Sequence, residues 1–246
     1  MNILFSYKND ADDATLTYST QHASFPAENV QQRWAVKPWR STAVAAEYLR
    51  FAMDGTPQID FITIKNHNLQ DTATVQVNYY SDAYITLVDS DVIDWQEGLM
   101  VIFVNQDQPY VEITFADVGN PDGYIEIGRV WMGEIIRPRI GFSMERVLVP
   151  QDPSVISESE NGQVATIQRT RFNTWDYTFE GVDPDDKNDI ENMFIEVGLS
   201  KALFLCEEPE ELDLVPYTKY IMFTSWEWEH IAGDWWKLMV EVKEER

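Results

Sequence analysis

Cysteine is nearly absent. Cys206 is the only one in 246 residues, so no disulfide within the chain can staple the fold, and a metal site built from several cysteines would need several copies of the chain. Histidine is almost as scarce: His22, His67 and His230 lie far apart, and none stands in an HExxH spacing. Positive charge is short as well. Eighteen Lys and Arg against 42 Asp and Glu give a formal net charge of −24, a field that repels nucleic acid phosphates and anionic lipid headgroups. No apolar run approaches membrane-spanning length, and the opening residues 1–13 lack the basic segment and apolar stretch of a signal peptide. Folding in a cytoplasm is therefore expected. The GxSxG elbow, the P-loop and the GxGxxG fingerprint are all missing. Together these absences predict a protein with no cofactor, no metal and no enzymatic activity, one that neither binds nucleic acid stably nor inserts into a membrane.

What is present is apolar and aromatic. Hydrophobic residues make up 44% and aromatics 13% of the chain, enough for sizeable cores and far from the composition of a disordered segment. The length favours two domains over one large sandwich. In the first half apolar residues alternate with polar ones, the period of strands with one buried face. Leu49, Phe51 and Met53 form one such set, followed by Val75, Val77 and Tyr79, then Val111, Ile113 and Phe115, then Ile125 and Ile127. Turn residues punctuate these runs at Asp54-Gly55-Thr56-Pro57 and Asn120-Pro121-Asp122-Gly123. Many short strands with polar turns predict a sandwich.

The alternation pauses near Pro138, and residues 150–163 are polar, with two prolines, the acidic Ser157-Glu158-Ser159-Glu160 and the hairpin-type pair Asn161-Gly162. A domain boundary is placed between 144 and 145. Beyond it Trp175, Tyr177 and Phe179 mark an amphipathic strand. A helix is predicted at about 184–198: Asp183 suits the cap, Pro184 the first turn and Gly198 the end. Its apolar stripe, Ile190, Met193, Phe194 and Val197, should pack on a sheet. Two aromatic-rich strands close the chain, 220–230 and 235–242. Ile221 and Phe223 are odd-numbered while Trp226 and Trp228 are even-numbered, so either a β-bulge near Thr224-Ser225 brings both pairs to one core or both faces of the strand are apolar.

Three features carry possible chemistry. Glu227 and Glu229 share a strand face at roughly 7 Å, a spacing compatible with an inverting glycosidase but also the ordinary product of a solvated strand face. Trp34 and Trp39, with Arg33, Lys37 and Arg40, could stack a base or a sugar, or the cations could pair with this acidic chain. His67, within Asn66-His67-Asn68-Leu69, sits in either a polar binding loop or a self-satisfied turn. Trp34, Trp39, Arg40 and His67 are the candidate ligand or partner contacts; Trp95 is a further candidate for an exposed aromatic.

Phe25-Pro26-Ala27-Glu28-Asn29-Val30, Trp39-Arg40-Ser41-Thr42, the run Ile59 to Ile64 and His67-Asn68-Leu69 occur in an order that resembles the N-terminal part of tailed-bacteriophage tail-tip proteins with a discoidin-like, galactose-binding-type jelly roll. The second half is similar in layout to minor tail-tip and distal tail proteins, through Arg169-Thr170-Arg171, Trp175 to Phe179, Ile190 to Gly198, Lys201 to Leu205 and the final hairpin. The acidic insertion Glu207 to Asp213 departs from that layout. The resemblance implies a mainly β protein with a discoidin-like sandwich at 1–144 and a tail-tube-like β-barrel or sandwich with one flanking helix at 145–246. It implies a structural component of a virion tail, assembled in the host cytoplasm. The chain would act as an adaptor between the tail tube and baseplate or receptor-binding proteins, forming a homo-oligomeric ring, sixfold ahead of threefold. The alternative is a carbohydrate-binding module at the host surface, with weak glycan contact.

Overall fold

The computed structural model describes residues 3–139, 146–158, 161 and 163–245. The protein is mainly β. Its strands in chain order are β1 (Leu4–Ser6), β2 (Thr15–Tyr18), β3 (Trp39–Arg40), β4 (Glu47–Ala52), β5 (Ile59–His67), β6 (Thr74–Tyr80), β7 (Leu87–Ile93), β8 (Leu99–Gln106), β9 (Tyr110–Ala116) and β10 (Glu126–Gly133), then β11 (Arg146–Gln151), β12 (Val155–Glu158), β13 (Val164–Ile167), β14 (Phe172–Val182), β15 (Leu203–Cys206), β16 (Thr218–Ala232) and β17 (Trp235–Glu244). Among the described residues two α-helices accompany them, the single turn α1 (Asp10–Asp13) and the longer α2 (Pro184–Val197). The chain divides into two compact units: residues 4–137 with 203–219, and residues 138–202 with 220–245. The boundary expected at 144/145 falls on residues 140–145, outside the described set, and the segment 203–219 belongs to the first unit although it follows α2 in sequence.

The first unit is an antiparallel sandwich. One sheet runs β2-β4-β9-β6-β7 and the other β3-β10-β5-β8. The alternating sets read from the sequence are its core: Leu49 and Phe51, Val75 and Val77, Ile113 and Phe115, and Ile125 and Ile127 are all buried in one cluster. Their polar neighbours face outward, which is why the sequence shows the period so plainly. β5 is the exception. Ile62 and Ile64 enter the sandwich core, while Phe61 packs on Phe204 of β15 at 5.6 Å between ring centroids, beside Trp131 at 5.3 Å from the same ring. A strand covered on both sides reads as a continuous apolar run. The acidic insertion begins inside this unit: Glu207 is buried and ion-paired with Lys219.

The second unit is built on the open antiparallel sheet β16-β17-β14-β11. The barrel alternative for this half does not hold among the described residues, because β11 ends the sheet and does not pair onward. The helix forms as its sequence requires: the Asp183 carboxylate accepts from the backbone N–H groups of Asp185 and Asp186, Pro184 opens the first turn, and Gly198 terminates it at φ +57°. Its stripe of Ile190, Met193, Phe194 and Val197 is buried. The Phe194 ring stacks on Trp226 at 4.7 Å and meets Phe223 edge-on at 4.8 Å. Phe223 and Trp226 reach the same core because the β16–β17 register shifts between Phe223 and Ser225, the bulge expected at that point. The strands β12 and β13 pair as a separate hairpin. Of the expected Asn161-Gly162 turn between them, Gly162 lies outside the described residues.

Candidate functional site

The loops at one end of the sandwich bring together Arg40, Phe25, Tyr124, Glu126, His22 and Asn68. The framework is backbone pairing. β3 is only two residues long, and it lies against β10 with Arg40 opposite Glu126 and Trp39 opposite Ile127. The turn from His22 to Phe25 is tied to β3, since His22 N donates to Arg40 O at 2.7 Å and Arg40 N to Phe25 O at 3.1 Å. Gly128 lets this layer approach: a Cβ there would lie 2.1 Å from the Ala35 carbonyl oxygen and 2.8 Å from Asn66 Cβ. Only a residue without a side chain allows Ala35 to sit on β10 in this way.

Within that frame the Arg40 guanidinium is stacked between two rings, 4.0 Å from the Phe25 centroid and 4.2 Å from Tyr124. Its Nε and Nη2 both donate to Glu126 Oε2, at 3.0 and 2.6 Å. Both partners are about one quarter exposed, so the pair adds little stability, about 0–1 kcal/mol. Its effect is positional: the guanidinium plane is fixed and its charge balanced while other N–H donors remain. His22, on the surface, lies 5.5 Å from Phe25 ring to ring, and its Nδ1 accepts from Ser24 N, which puts the proton of the neutral ring on Nε2. Asn68 ties the neighbouring loops. Its Nδ2 donates to Asp122 Oδ2 and to the Tyr124 carbonyl, and its Oδ1 accepts from Glu126 N at 2.7 Å. The turn carrying Tyr124 is the expected Asn120–Gly123 turn, with Gly123 at φ +74°. The site therefore offers half-exposed aromatic surface next to oriented donors and acceptors with locally balanced charge. That combination suits a neutral polyhydroxylated ligand, whose C–H faces lie on rings while its hydroxyls exchange hydrogen bonds.

The four sequence candidates have different fates. Arg40 is at the centre. Trp39 is corrected: it is wholly buried, its Nε1 donates to Thr20 O at 3.0 Å and its ring packs near Phe115 at 6.0 Å, so it is a core residue and no ligand platform. Adjacent residues of a strand face opposite sides, which sends Trp39 inward as Arg40 goes outward. Trp34 is 46% exposed and sits beneath Lys37 Nζ at 4.8 Å, in its own turn. His67 is half-buried on β5, where Nε2–H donates to Gln96 O at 2.9 Å, and burial holds its imidazole pKa below the ordinary range. Trp95 donates from Nε1 to Leu69 O at 2.8 Å and packs against the core. Phe25 figured in the sequence only as part of a motif, and Tyr124 and Glu126 were missed altogether.

Elsewhere, Glu227 and Glu229 are both exposed on β16, and Glu229 pairs with Lys237 at 3.3 Å. Among the described residues no group of three or more His, Cys, Asp or Glu is arranged to hold a metal ion, and no helix is long and apolar enough to cross a membrane.

No family model matches the sequence, and no curated protein matches it. Among solved structures the chain is similar to chitosan-binding module 1 of a chitosanase/glucanase from Paenibacillus sp. IK-5 (TM-score 0.44, 16% identity, 52% of this chain and 99% of that one). It is similar also to a Streptococcus pneumoniae fucose-binding module (TM-score 0.43, 12% identity, 52% and 98%), and to the family 32 CBM from C. perfringens NanJ, solved in complex with galactose (TM-score 0.43, 11% identity, 54% and 99%).

Proposed function

We propose that this chain is a non-catalytic recognition protein whose N-terminal sandwich takes a neutral cell-surface carbohydrate at the loop end around Arg40. The observation that carries this reading is the Phe25–Arg40–Tyr124 stack with Glu126 in hydrogen-bonding contact. A planar cation fixed between two rings, its charge already balanced, presents donors and apolar edges without drawing in polyanions, which the charge of −24 opposes further. The Glu126 carboxylate is engaged by Arg40, which supports a binding role for this loop end. The test is an array of neutral, sialylated and sulfated glycans probed with the full chain. Saturable binding to neutral glycans that persists in high salt is expected; a flat array, or binding confined to anionic glycans and abolished by salt, would overturn the reading.

A second reading, a structural adaptor of a phage tail tip, is favoured by the C-terminal sheet. Its face opposite α2 holds a hollow of about 380 Å³ lined in part by Asp176, Thr178, Ser225, Glu227, Met239 and Glu241. In a ring of copies with this face inward, the carboxylates would form an acidic passage that repels DNA phosphates. Localisation in virions by cryo-microscopy tests it: density on the tail axis supports an adaptor, and a position at fibre ends contradicts it.

A further inference from the structure

The core of the second unit does not close at β11. One cross-strand row runs Phe223, Val242, Trp175, Leu148 across β16, β17, β14 and β11. Exposure along it is 1%, 0%, 7% and then 51%. A solvated sheet edge normally ends such a row on a charged or polar side chain; here it ends on leucine, with Val147 and Val149 exposed on the other face of the same strand. Next in sequence stands the hairpin β12–β13, in which all eight residues are exposed, among them Val155, Ile156, Val164 and Ile167. A lone two-stranded hairpin has marginal stability in water. This one is pinned at its base, where Arg171 Nε donates to Asp152 Oδ2 at 2.8 Å and Arg169 N to Ser154 Oγ at 3.0 Å. Ser154, whose backbone N–H also donates to Asp152 Oδ1 at 3.0 Å, and then Arg171 lower the Asp152 carboxyl pKa to about 2. Among the described residues the chain thus carries an apolar projection without a core and a core edge without a cover.

We propose that the two meet between copies, the β12–β13 hairpin of one chain covering the open edge at Leu148 of a second copy. Charge selects this partner. Residues 146–171 contain three arginines, Arg146, Arg169 and Arg171, and three acids, Asp152, Glu158 and Glu160, so the segment is neutral within a chain of −24. Two copies can approach there without the repulsion that separates the rest of their surfaces, whereas a cationic foreign protein would be drawn to the acidic surface instead. A projecting part that fits a different receiving part is a head-to-tail contact, which closes into a ring when the rotation per copy permits. The contact is independent of the carbohydrate reading.

Sedimentation or light scattering of the full chain over a range of concentration and salt tests this. Mass above the monomer is expected, increasing with salt as repulsion is screened. The double variant Ile156→Asp/Ile167→Asp and the single variant Leu148→Asp should each fall to monomer mass, with melting and glycan binding like wild type. An equimolar mixture of the two variants should form 1:1 pairs, because each retains the half the other lacks. A wild-type chain monomeric throughout, variants that associate like wild type, or a mixture that stays monomeric would overturn the proposal, as would association lost in the hairpin variant but kept in Leu148→Asp, which would indicate hairpin-to-hairpin contact.

Discussion

Replacing Gly128 with alanine puts one methyl group where the structure has no room for it. The added Cβ would lie 2.1 Å from Ala35 O and 2.8 Å from Asn66 Cβ. The nearer obstacle is backbone, so relief requires moving the 34–40 segment off β10 by roughly 1 Å, a normal carbon–oxygen contact being well above 3 Å. Overpacking costs about 1–3 kcal/mol, and a rigid backbone neighbour places this case near the upper end. At about 3 kcal/mol, melting of the sandwich should fall by roughly 6–12 °C. The same movement displaces Arg40 from between its two rings, so glycan binding should be lost well below the melting transition. Gly119→Ala is the control: its nearest neighbour is Thr72 Oγ1 at 3.8 Å, and its effect should stay within about 0.5 kcal/mol. Urea unfolding of both variants provides the comparison. Equal stability of Gly128→Ala and Gly119→Ala would refute the seating of Ala35 on β10, and with it the geometry of the site.

Burial raises the Asp10 carboxyl to about 6, with Asp13 and Glu134 adding to the shift and Lys8 opposing it. A carboxyl raised above its unfolded value contributes stability that is present below about pH 4 and lost as pH rises through 6. Asp10→Asn should therefore melt higher than wild type at pH 7, with the gap shrinking toward pH 4; a pH-independent gap would contradict the assignment. Phe194→Ala removes the ring stacked on Trp226 and edge-on to Phe223, and should cost about 3–5 kcal/mol in denaturant unfolding. Lys219→Met removes the ammonium paired with the buried Glu207 carboxylate and should cost about 3–5 kcal/mol by the same measurement; a neutral effect would contradict the worth of this pair.

The features visible in the sequence are those set by local rules. Alternation marked the sandwich strands because one face of each is solvated, and Asp183, Pro184 and Gly198 bounded α2 because capping is decided within a few residues. The two parities of β16 left either a bulge or two apolar faces, and the register shift between Phe223 and Ser225 makes it a bulge. The candidate site could be read only in part. Arg40 meets Glu126 and Tyr124 through the pairing of β3 with β10, more than eighty residues away in sequence, and β3 is too short to show a period that would separate the inward Trp39 from the outward Arg40. The acidic run at 207–213 looked uniform, yet its first member is a buried ion-pair partner. That distinction depends on the return of 203–219 to the first unit, which no local pattern announces.

The most direct test is a crystal structure of the full chain soaked with a neutral glycan that scores on the array. A sugar ring is expected in contact with Tyr124 and Phe25, with hydroxyls bonded to Arg40 and His22 and the Arg40–Glu126 pair intact. A sugar seated elsewhere on the chain, with this loop end empty, would contradict it.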